Sequence, residues 1–143
     1  MSGTTRTARA GGLVVAGLIA FATATGCVPG KAEPKVDTDA ITHDIQAALA
    51  QRADVVTAKV SYQNTIETSG AAAVNVTVKP GSDSAPVIDD AIRLVWQSRL
   101  NPLSVIRVGV VYPDNNPPGT VRYVYPRTEK PDLDDRYGPH PRK

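Results

Sequence analysis

Residues 84–112 read SAPVIDDAIRLVWQSRLNPLSVIRVGVVY, and this stretch holds both of the periods from which the domain is built. Its first half sets Ile88, Ala91, Ile92 and Val95 at helical spacing, widened by Val87, Leu94 and Trp96, and so predicts an amphipathic helix with one apolar stripe. Pro86 suits the first turn, where a missing N–H breaks no hydrogen bond. Asn101-Pro102 stops the helix, which is expected to run to about Leu100. The second half changes period. From Ser104 to Tyr112, Ile106, Val108, Val110 and Tyr112 alternate with Arg107 and Gly109, the pattern of a strand with one dry face. A helix and a strand that each bury a single side need a partner layer, so helices stacked on a sheet follow.

The same two periods recur upstream. Between Asp39 and Gln51, the residues Ile41, Ile45, Ala48 and Leu49 share one side of a helix that Asp37, Thr38 or Asp39 can cap. Val55–Gln63 sets Val56, Ala58, Val60 and Tyr62 against Thr57, Lys59, Ser61 and Gln63, and residues 71–79 set Val74, Val76 and Val78 against Asn75, Thr77 and Lys79. The short polar link 64–70 makes these two strands an antiparallel hairpin. Downstream, the proline-rich loop 113–119 leads to an edge strand over 120–125, in which Val121, Tyr123 and Tyr125 alternate with Arg122 and Val124. The expected fold class is therefore α+β, a two-layer sandwich of order α-β-β-α-β(-β). Two helices lie on one face of a three- to four-stranded sheet whose other face is open. Residues 126–143, rich in proline and charge, are expected to be largely disordered.

The amino terminus reads differently. Arg6 and Arg9 precede AGGLVVAGLIAFATAT, an uncharged run of 16 residues from Ala10 to Thr25. That is a positive region followed by an apolar one, shorter than the ~20 residues of a spanning helix, and it predicts an export signal. The run ends in Ala24-Thr25-Gly26-Cys27, with small residues ahead of the chain's single cysteine. This motif resembles the lipobox of bacterial lipoproteins of the actinobacterial type. The resemblance implies cleavage before Cys27, a diacylglyceryl thioether on that residue, and anchoring at the exported side of the cell membrane. Residues 1–26 are then the signal, 27–36 the lipidated cysteine and tether, 37–125 the folded domain and 126–143 its tail.

Cleavage also changes the charge balance. The whole chain carries 16 Lys and Arg against 14 Asp and Glu, but losing Arg6 and Arg9 leaves 14 of each. A neutral mature chain has no electrostatic footprint for nucleic acid. The order helix-strand-strand-helix-strand over residues 37–112 is similar to the BON domain of bacterial envelope proteins, which implies contact with phospholipid. The second strand, Val74-Asn75-Val76-Thr77-Val78-Lys79, lacks the glycine of the usual BON strand.

Catalytic patterns are sparse. His43 lies one turn from Asp39, too few ligands for a metal site, and His140 falls in the expected disordered tail. Asp89 and Asp90 are adjacent on a helix, diverge by about 100° and read as partners of the helix dipole. Asp132, Asp134 and Asp135 lack the glycine and glutamate of a calcium loop. No cofactor is expected. The candidate interaction surface is Arg107, Arg122, Tyr123, Tyr125 and Arg127 at the sheet edge, with Trp96 on the second helix. The expected function is a membrane-anchored, non-enzymatic binding module for an envelope protein or lipid. The alternatives are a phospholipid-binding BON-like module and an envelope enzyme using carboxylates brought together by the fold, which would need two or more of Asp39, His43, Asp89 and Asp114 to converge in one pocket. Intact mass of the membrane-fraction protein is expected to match a chain beginning at Cys27 plus its acyl groups; an unacylated mature chain would overturn the lipobox reading.

Overall fold

The computed structural model describes residues 35–141, so the signal, Ala24, Thr25, Gly26 and Cys27 lie outside the described residues. The elements are α1 (Thr38–Ala50), β1 (Val55–Gln63), β2 (Ala71–Val78), α2 (Ser84–Trp96), β3 (Val105–Val111), β4 (Thr120–Val124) and α3 (Pro126–Tyr137). The fold is α+β, with helices packed on a four-stranded mixed sheet of order β1-β2-β3-β4.

The first two helices begin where the sequence provides a cap. Asp37 accepts from the amides of Asp39 and Ala40, at 3.1 and 3.0 Å, and Asp83 accepts from that of Ala85 at 2.9 Å. Ile45 and Leu49 are the buried residues of α1. On α2 the stripe is wider, taking in Val87, Ile88, Ala91, Ile92, Val95 and Trp96. That helix ends at Trp96, a turn short of Leu100, with Gln97 closing it.

β1 and β2 form the antiparallel hairpin, while β2 and β3 run parallel in unbroken register from Ala71↔Val105 to Thr77↔Val111. Parallel neighbours need a crossover, and α2 is that crossover. The helix-facing positions form continuous buried rows such as Val74 beside Val108 and Val76 beside Val110, all almost inaccessible to water. α1 and α2 touch each other and share this face. The opposite face has no helix over it among the described residues.

Two departures from simple alternation matter. A bulge between Val55 and Thr57 carries Val55 into the core and leaves Val56 half exposed, whereas strict alternation puts Val56 there. Residues 126–137, expected to be disordered, form α3 instead. Pro126 occupies its first turn, and Glu129 reaches back to accept from the Tyr125 amide at 2.8 Å. Leu133 and Tyr137 enter the core, and the Trp96 indole N–H and Gln97 amide donate to the carbonyls of Gly138 and Tyr137, both at 2.8 Å. Composition favours disorder; two buried side chains and three satisfied backbone groups decide for a docked helix, so the folded domain extends past residue 125.

At the end of the hairpin link, Gly70 takes φ +66°, and its carbonyl accepts from the Ser104 amide at 2.8 Å. A Cβ there would stand 2.3 Å from the Pro102 carbonyl oxygen. Gly70→Ala is therefore expected to cost about 2–4 kcal/mol, the left-handed backbone adding to a clash with main chain that cannot rotate away. Chemical denaturation of the two proteins measures the difference.

Candidate functional site

The pleat sorts the strand residues between two surfaces. On the uncovered face, Ser61, Ala73, Arg107 and Tyr123 make one row across all four strands, and Lys59, Asn75, Gly109 and Val121 make the next. The middle of this face is low because Ala73 and Gly109 carry little or no side chain. Arg107 leans over it, its guanidinium donating to Asn75 Oδ1 at 3.1 Å. That same oxygen would lie 3.2 Å from a Cβ on Gly109, so the glycine leaves room for the pair. Along β4 and the end of β3, Val111, Val121 and Tyr123 remain exposed beside this polar centre.

The charge of the face is one-sided. Its strand residues include Lys59 and Arg107 and no aspartate or glutamate. The acids that balance the chain sit elsewhere, on the helices and in the turns. Arg107 beside the exposed Tyr123, with Lys59 across the sheet on β1 and no carboxylate paired with either cation among the described residues, gives a surface complementary to negative charge.

The residues grouped at the edge by sequence are separated by the pleat. Arg107 and Tyr123 are direct cross-strand partners on the open face. Arg122 pairs with Val108 and so faces the helix side, where its nearest acid is Glu129 at 3.9 Å. Tyr125 and Arg127 are exposed at the start of α3. Trp96 is 3% exposed, sealed under the Tyr137–His140 segment and packed against the His140 ring at 4.8 Å, so it belongs to the core and leaves the interaction surface. His140 itself is held, its Nδ1 against the Trp96 carbonyl, which corrects its expected place in a disordered tail.

Asp89 and Asp90 lie in the middle of α2 and not in its first turn. Each has its own partners, which replaces the helix-dipole reading. Asp90 accepts from Arg52 and from Arg93, and Arg52 also grips Asp54 through two bonds of 2.9 and 2.7 Å. The fork of Arg52 thus ties the turn after α1 to α2. Hydrogen bonds from these arginines hold the carboxyl groups of Asp54 and Asp90 below their ordinary value. On the other side, Asp89 accepts from Arg136 and from the Tyr137 hydroxyl at 2.6 Å. Burial, reinforced by that bond, pushes the Tyr137 hydroxyl up to about 12. None of these long-range partners is readable from sequence spacing, since 38 and 47 residues separate Arg52 from Asp90 and Asp89 from Arg136.

No family model, curated protein or solved structure matches the chain. A groove between α2 and β4 contains Asp89, but its described lining includes none of Asp39, His43 or Asp114. His43 and Asp39 are exposed on α1. Among the described residues no three His, Cys, Asp or Glu side chains come together as a metal set.

The depressed carboxyls make a stability prediction. Their charged forms are favoured in the fold, so their contribution is present above the ordinary value of 3.8 and lost as pH falls below it. The denaturation midpoint is expected to drop between neutral pH and pH below 3.8, and to drop by less in Arg52→Met. An equal drop in both proteins would show that Arg52 is not the cause.

Proposed function

We propose that this chain is a lipid-anchored protein of the cell envelope whose domain acts as a non-enzymatic binding module, meeting an anionic partner through the open face of its sheet. The lipobox-like Ala24-Thr25-Gly26-Cys27 supports the anchor. The observation that supports the binding surface is the absence of any carboxylate among the strand residues of a face that carries Lys59 and Arg107. Arg107 is steadied by Asn75 and flanked by Tyr123, so its charge is presented in one place, over a floor low enough for a ligand group to reach the sheet.

A second reading has its own support. Val111, Val121 and Tyr123 are apolar or amphipathic side chains exposed on the same face beside Arg107, the composition of a surface that rests on anionic lipid headgroups. This agrees with the phospholipid contact that the BON-like element order implies. In either reading the anchor holds the domain near its partner and raises the effective concentration there.

Sedimentation of the acyl-free chain, Val28–Lys143, with neutral and anionic liposomes separates the two. The lipid reading expects pelleting with anionic vesicles alone, and a loss of about thirtyfold in the double variant Lys59→Glu, Arg107→Glu, on the order of 1 kcal/mol for each of the two cations brought near an anionic surface. Absence of pelleting leaves an anionic envelope protein as the partner, which cross-linking from position 123 should capture. Turnover of an envelope substrate by the purified domain would overturn the binding-module reading altogether.

A further inference from the structure

The two edges of the sheet are treated differently by the fold. On β1, the Gln46 side chain of α1 takes the Val60 amide at 3.3 Å, and the bulge after Val55 interrupts the strand. Such devices discourage a further strand from pairing. On β4, among the described residues, no side chain bonds to the backbone of Thr120–Val124, and its only strand partner is β3. Four of its five residues are exposed.

A groove of about 370 Å³ runs along this free edge. Its helical wall is Ala85, Ile88, Asp89 and Ile92, spaced i, i+3, i+4 and i+7, hence a single stripe of α2. Its other wall is Thr120, Val121 and Arg122. These residues belong to the strand whose outer edge has no strand partner among the described residues. Apolar side chains of a helix thus lie next to a strand edge that is open to pairing. That combination is what an extended peptide needs to add itself to a sheet.

The charges select the peptide. Arg122 points to the helix side of β4, held only by a loose ion pair with Glu129 at 3.9 Å and by no hydrogen bond among the described residues. Arg136 reaches the same groove from α3, shared with Asp89. A second copy of β4 would be a poor occupant, because Thr-Val-Arg-Tyr-Val carries one charge, a cation, and would set it near its own image. We propose that the α2–β4 groove receives an extended segment of another protein as a fifth strand on β4. An acidic side chain of that segment faces Arg122, and apolar side chains two residues to either side lie against Ile88 and Ile92. This site lies along the outer edge of β4 and shares Val121 alone with the open face.

The test is titration of the terminally blocked heptapeptide Thr-Val-Thr-Glu-Thr-Val-Thr into the isotope-labelled full chain in neutral detergent. Its Val, Glu and Val side chains share one face. Amide shifts and new exchange protection are expected in Thr120–Val124, with shifts at Ile88 and Ile92. Arg122→Glu should weaken binding about tenfold, since an opposite-charge pair becomes a like-charge one. Two changes confined to the peptide probe the same contacts without altering the fold: Lys in place of Glu should weaken binding, and N-methylation of the backbone nitrogens facing β4 should abolish it. The proposal is overturned if the heptapeptide does not bind, if the methylated peptide binds as well, if the perturbed amides lie away from β4, or if β4 is already protected by self-association. Liposomes and anionic face ligands do not enter this titration, so it and the open-face reading fail independently.

Discussion

Val74 beside Val108 and Val76 beside Val110, aligned in parallel register under the helices, form the contact on which the remaining architecture depends. Two strands can lie side by side in the same direction only if the chain between them climbs over the sheet and returns. That route is α2, and because its stripe is wide it both makes the crossover and roofs the rows it creates. Once β2 and β3 are fixed, the hairpin to β1 and the hairpin to β4 extend the sheet outward. α1 then has one place to go, beside α2. The face left bare is a consequence of having two roofing helices on the same side.

Much of this is legible in the sequence because it is periodic. The alternation in residues 71–79 and 104–112 and the stripe in residues 84–96 settle which side chains are inside, and the cap candidates Asp37, Thr38 and Asp39 bracket where the first helix begins. What escapes the sequence has in each case a definite cause. A bulge is an insertion of one residue into a period of two, so Val56 cannot be told from Val55 by pattern alone. α3 has almost no apolar stripe; it is held by Leu133, Tyr137 and the bonds from Trp96 and Gln97, which are tertiary and invisible to a local reading. The candidate surface is half legible. Alternation separates Arg107 from the apolar side of β3, but which face of β4 carries Tyr123 and which Arg122 depends on its register with β3, and that is fixed by the length of the loop between them.

The same register gives β4 two unlike sides. Toward the open face it presents Val121 and Tyr123 next to Arg107; toward the helices it presents Arg122 and the groove beside Ile88 and Ile92. The helix side is bounded by ion pairs that also brace the fold. Arg136 and Tyr137 converge on Asp89, and Arg52 and Arg93 converge on Asp90, so the two adjacent aspartates of α2 hold α3 on one flank and the turn after α1 on the other. One helix thus distributes its two neighbouring charges to opposite ends of the domain.

The guarded edge of β1 has a consequence wherever copies of the chain are crowded together. A sheet with two open edges can recruit a copy at each and lengthen without limit into a filament. Here Gln46 and the bulge close one end, so pairing from edge to edge has a single docking point per molecule and does not propagate. Polymerisation through the sheet is opposed by an asymmetry that a single glutamine and one extra residue are enough to create.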